Sequence, residues 1–140
     1  MKKPFLLIFV LLHISFAFAQ DIENEVSTLI KEQIKKENIS KWELYPTENI
    51  WTFLKLNTSN GVIYQIQFSL NNKTPDLEVP INSYPLVDGE DAIIGRFKLY
   101  PTKNIYNFLL LDKISGKVYT AQWSEDYNKR FIRTISEGSN

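Results

Sequence analysis

The sequence predicts a mainly antiparallel β fold (α+β), with two tandem β-meander repeats sharing one core behind one N-terminal amphipathic helix. Three observations carry that expectation. A block near the middle of the chain returns 55 residues later. Each copy of the block alternates apolar and polar residues at the two-residue period of a half-buried strand. Ahead of the first copy, apolar residues instead recur at the spacing of one helical stripe.

The repeat is explicit. Leu44-Tyr45-Pro46-Thr47-Glu48-Asn49-Ile50-Trp51-Thr52-Phe53-Leu54 returns as Leu99-Tyr100-Pro101-Thr102-Lys103-Asn104-Ile105-Tyr106-Asn107-Phe108-Leu109. From Leu44 to Ser69, 13 of 26 positions are identical to their counterparts in Leu99–Ser124, with no gap. Ile39, Lys41 and Trp42 extend the match upstream to Ile94, Arg96 and Phe97. Duplication is the only economical reading.

The helix is expected over 21–38, where Ile22, Val26, Leu29, Ile30 and Ile34 form the stripe. Asp21 suits a helix N-terminus, and Lys35 and Lys36 suit its C-terminal end. In each repeat a short strand (Trp42–Tyr45, Phe97–Tyr100) leads into a Pro-Thr-x-Asn corner. Strands over Ile50–Leu56 and Ile105–Leu111 follow, then a turn. Asn57 and Asp112 can accept backbone N–H bonds there, and Gly61 and Gly116 can take positive φ. The return strands span Val62–Ser69 and Lys117–Ser124. A last strand is expected near Leu77–Ile81 and Phe131–Ile135, and Pro80 marks the first of these for a sheet edge. The repeats thus occupy about 39–82 and 94–136. The Pro- and Asp-rich stretch Asn71–Gly95 connects them, and a loose tail, Glu137–Asn140, follows. Leu54, Leu56, Leu109 and Leu111 are the expected interior anchors, since half a chain of this size is marginal alone.

The tandem Leu-Tyr-Pro-Thr-x-Asn pattern, with its Leu-Asp-x-x-x-Gly-x-Val-Tyr hairpin at Leu111–Tyr119, resembles that of small exported bacterial proteins of Bacteroidetes type. The resemblance covers roughly Trp42 to Ser124. It implies export and a two-copy β architecture, and no activity, ligand or cofactor. Repeat one departs from it at Asn57, where an amide replaces the acid, so a metal held by that acid would be lost there.

Residues 1–19 have the layout of a signal peptide: Lys2 and Lys3, an apolar run from Phe5 to Phe18, and Ala17-Phe18-Ala19. The run is shorter than the roughly 20 apolar residues a spanning helix needs and is broken by His13 and Ser15. Cleavage would leave a single domain, 20–140, periplasmic or secreted, with no later transmembrane segment. The full chain carries 16 basic and 16 acidic residues; losing Lys2 and Lys3 leaves 14 against 16. Such a balance argues against nucleic acid as a partner. There is no Cys, and the one His lies in the leader. Ser–His and Cys–His catalysis and structural zinc are thereby excluded from the mature chain. No cofactor and no metal site is expected.

What remains is binding. Trp51, Tyr106, Trp42 and Trp123 are the candidate ligand-binding residues, because outward rings on a sheet stack sugars or anchor proteins. Tyr64, Tyr119, Phe53 and Phe108 are expected inside. The Pro-Thr-x-Asn corners read as turns closed by side chains rather than as ligand sites. Asp112 with Ser115 offers a hard cation too few oxygens. Asp88, Glu90 and Asp91 beside Gly89 could serve carboxylate hydrolysis, as could Glu125 and Asp126, though a solvated acidic loop is the commoner reading of both. The function expected is a non-catalytic binding or interaction module for a protein or glycan partner. A carbohydrate-binding protein using exposed Trp and Tyr comes second, and a carboxylate-based hydrolase third.

Overall fold

A computed structural model describes residues 4–36, 39–71 and 74–136. One helix, α1 (Pro4–Lys36), precedes eight strands. The helix and the β region are separate compact units, 1–39 and 40–140. Among the described residues no helix is long and apolar enough to cross a membrane. The expected helix start at Asp21 is corrected: α1 runs unbroken through Gln20 and Asp21. Ala17-Phe18-Ala19-Gln20 contains neither Gly nor Pro, so nothing there stops a helix begun upstream. Residues 37–38 and the tail 137–140 lie outside the described residues.

The β region is two four-stranded antiparallel meanders, one per repeat. Sheet one is β1 (Trp42–Pro46), β2 (Thr52–Asn57), β3 (Ile63–Gln67) and β4 (Leu77–Pro80), paired in chain order. Sheet two repeats it as β5 (Phe97–Pro101), β6 (Asn107–Asp112), β7 (Val118–Gln122) and β8 (Phe131–Thr134). Pro80 closes β4 on the sheet edge, where its missing N–H breaks no ladder. Registers agree: Leu54 faces Tyr45 and Gln65, and Leu109 faces Tyr100 and Thr120.

One core joins the two sheets. Leu54, Leu56, Ile63 and Ile81 of repeat one cluster with Phe97, Leu99, Phe108, Leu110, Ala121 and Trp123 of repeat two. Hydrogen bonds stitch the halves, from Phe97 N to the backbone Thr58 O at 2.8 Å and from Ser124 N to the side-chain Gln65 Oε1 at 3.2 Å. The expected anchors Leu109 and Leu111 are corrected here. Leu109 is 36% exposed and Leu111 only half-buried, while Phe108 and Leu110 are buried.

The reason is the way the sheets stack. Sheet one turns inward the face bearing Tyr45, Leu54, Leu56, Ile63 and Gln65. The equivalent face of sheet two, with Tyr100, Leu109, Leu111, Val118 and Thr120, points outward. Sheet two buries instead the face of Phe97, Leu99, Phe108, Leu110 and Ala121, whose counterparts Trp42, Leu44, Phe53, Lys55 and Ile66 lie outward on sheet one. The repeats therefore pack head to tail, unlike face on unlike face, as successive units of a repeat array do.

Candidate functional site

Each Pro-Thr-x-Asn corner is a small hydrogen-bonded clasp. Thr47 Oγ1 reaches Asn49 O at 3.1 Å and Thr52 O at 2.9 Å, and Asn49 Oδ1 accepts from Trp51 N at 2.9 Å. Thr102 and Asn104 repeat the set, ending on Tyr106 N at 3.1 Å. Side-chain oxygens satisfying nearby N–H groups are what make this sequence a corner. The clasp fixes the ring that follows it. Trp51 packs edge-on against Phe68 with centroids 5.6 Å apart, and Tyr106 packs against Trp123 at 5.1 Å.

Beside each clasp opens a cleft. The first, of about 480 Å³, is lined by Trp51, Gln67, Phe68, Ser69 and the loop to Leu77. The second, of about 430 Å³, is lined by Tyr106, Gln122, Trp123, Ser124 and the loop to Lys129. Trp51, Gln67, Phe68 and Ser69 are the repeat equivalents of Tyr106, Gln122, Trp123 and Ser124. One cleft has been made twice. They differ in their loops: the first is closed by Leu70, Thr74 and Pro75, the second by Glu125, Asp126 and Lys129. Asp126 Oδ1 accepts from Asn128 N at 3.0 Å, and its Oδ2 lies 3.6 Å from Lys129 Nζ; that backbone bond and the lysine lower its pKa.

The four candidate rings separate. Trp42, Trp51 and Tyr106 are about half exposed. Trp123 is 1% exposed and its Nε1 donates to Ile105 O at 2.8 Å; it packs in the core and forms a wall of the second cleft. Trp42 lies on the outer face of sheet one beside Tyr64, at 6.3 Å, with Lys55 Nζ 4.9 Å from the Trp42 ring centroid. Lys55 also pairs with Glu78. Leu44, 63% exposed, lies outward on the same face two residues from Trp42. Of the rings expected inside, Phe108 is buried, while Phe53, Tyr64 and Tyr119 are half-buried.

Asp88, Glu90 and Asp91 are exposed on the single-turn 3₁₀ segment Gly89–Asp91 and its approach. Among the described residues no group of three His, Cys, Asp or Glu could hold a metal. The strongest electrostatic feature is structural. Arg96 grips Asp112 with two bonds, Nε to Oδ1 at 3.0 Å and Nη2 to Oδ2 at 2.8 Å, and both residues are buried. Burial opposes the Asp112 charge most strongly. The bonds from Arg96, Ser115 Oγ and two backbone N–H groups outweigh it and hold the carboxyl far below the usual carboxylate range. The same bond to Asp112 raises the Arg96 pKa. Repeat one has Lys41 and Asn57 at these positions. Replacement of Arg and Asp by Lys and Asn together is the sequence signal that could have found this pair.

Comparison with family models, with curated proteins and with solved structures finds no match to this chain.

Proposed function

We propose that the protein is a non-catalytic binding and interaction module that works after export, in the periplasm or outside the cell. One observation carries the interaction reading. The face that sheet two buries in the core is left open on sheet one, with Trp42 43% and Leu44 63% exposed. Clustered outward Trp and Leu on a flat sheet fit a macromolecular contact better than solvent. Export rests on the leader-like Met1–Gln20 segment.

The test is photocrosslinking in cells producing the full chain. A benzophenone amino acid at Leu44 should give a discrete adduct, and the same group at Lys113, in the exposed β6–β7 turn, should not. Equal or absent adducts at both positions would overturn the reading.

The paired clefts favour a second reading, a carbohydrate-binding protein. An exposed Trp51 or Tyr106 ring beside a Gln amide is the combination that stacks and hydrogen-bonds a sugar. Titration with a panel of hexasaccharides should then show two sites, one removed by Trp51→Ala and the other by Tyr106→Ala. No heat with any of them would remove this reading. The hydrolase reading has least support, because Asp88, Glu90, Asp91, Glu125 and Asp126 are all exposed.

A further inference from the structure

The internal packing of this molecule states what covers each of its two kinds of sheet face. A face of the Leu54–Leu56 kind is covered by one of the Phe108–Leu110 kind. One face of each kind is left over: the first on sheet two (Tyr100, Leu109, Leu111, Val118), the second on sheet one (Trp42, Leu44, Phe53, Tyr64). We propose that these two free faces bind each other between chains, so that sheet one of a second copy stacks on sheet two of the first. The occupant of the outward face is thus this same chain, an inference that rests on the interaction reading above and names its partner.

Two details support the match. Inside the molecule, Leu99 N donates to Tyr45 Oη at 3.4 Å across the core. The outward Tyr100 is the repeat equivalent of Tyr45, and Leu44 that of Leu99, so the same bond is available from Leu44 N of the next copy. Second, the one cation at the centre of sheet one's outer face, Lys55, already lies between the Trp42 and Tyr64 rings and is paired with Glu78, so it does not meet Lys98 and Arg133 of the opposing face as a bare charge.

The faces are small. Four strands of about five residues span roughly 16 Å by 19 Å, which puts the contact at the low end of specific interfaces. Association is therefore weak and concentration-dependent. Because the two surfaces differ, it is head to tail, leaving a free face at each end unless a ring closes.

Sedimentation of the protein cleaved of residues 1–19, up to about 1 mM, tests this. The expected result is mass rising beyond a monomer. Leu44→Arg and Leu109→Arg, both on exposed positions, should each be monomeric alone and form a one-to-one dimer when mixed, since each retains one intact face. Tyr100→Glu serves as a second block on sheet two, and melting curves confirm that each variant is folded. A monomer at every concentration would overturn the proposal. So would a dimer abolished by Leu44→Arg but untouched by Leu109→Arg and Tyr100→Glu, which is a symmetric contact. Discrete Leu44 crosslinks to a different protein, together with a monomer in solution, would sink the self-association alone and leave the interaction reading standing.

Discussion

From Leu44 to Ser69 the two repeats share half their residues, yet most equivalent positions have a different environment. Leu54 is wholly buried and Leu109 is 36% exposed; Leu44 is 63% exposed and Leu99 is buried. The turn after β2 is enclosed, with Thr58 at 0% and Ser59 at 5% exposure, and accepts bonds from Phe97 N, Gly95 N and Leu86 N. The turn after β6 is open beyond Asp112. A duplication stacked by translation cannot bury the same face twice. Each repeat has kept the strand-forming residues common to both while the faces took opposite roles.

The largest test of that contrast is truncation at equivalent leucines. Leu54→Ala should lower stability by about 2–5 kcal/mol in urea unfolding, and Leu109→Ala by about 1 kcal/mol or less. Equal losses would mean that both sheets bury the same face. Acid comes next. Asp112 titrates well below its unfolded value of 3.8, so the stability it contributes is whole above that pH and drains away as pH falls below it. Asp112→Asn should be less stable at neutral pH and should lose most of that acid sensitivity, whereas Asn57→Asp, with no arginine to receive it, should gain nothing. A smaller effect separates the turn glycines. Both take positive φ, 76° at Gly61 and 75° at Gly116, so Ala at either should cost about 1 kcal/mol. At Gly61 its Cβ would also meet Leu86 Cδ1 at 2.8 Å and Phe97 at 3.2 Å, while at Gly116 it meets nothing. Gly61→Ala should be the worse of the two by melting temperature. The smallest effect is a gain. Thr52 is fully buried and its Oγ1 has no hydrogen-bond partner among the described residues. Thr52→Val, of the same shape, should be neutral or stabilising by up to about 1 kcal/mol. Its counterpart Asn107, bonded to Gln122 at 3.0 Å, should not benefit.

The strands, the edge position of β4 and the shared core were legible because alternation, Pro80 and the repeat are local signals. Which face of each sheet goes inward was not legible. Leu54 and Leu109 are the same residue in the same motif, and only the stacking of one sheet on the other distinguishes them. The burial of Trp123 was hidden for the same cause: its counterpart Phe68 is half-buried, while the head-to-tail packing draws Trp123 into the core. The clefts were half visible, since Trp51 and Tyr106 stood out as rings. Gln67 and Gln122 reach those clefts only because the clasp and the following loop close around them.

The central claim is that the two sheets complete one core and that neither has a core of its own. Residues 20–83 and 84–140, expressed separately, test it most directly by circular dichroism and thermal melting. The account predicts that neither half gives a cooperative transition, while the intact chain melts in one step. A sharp transition in either half alone would contradict it.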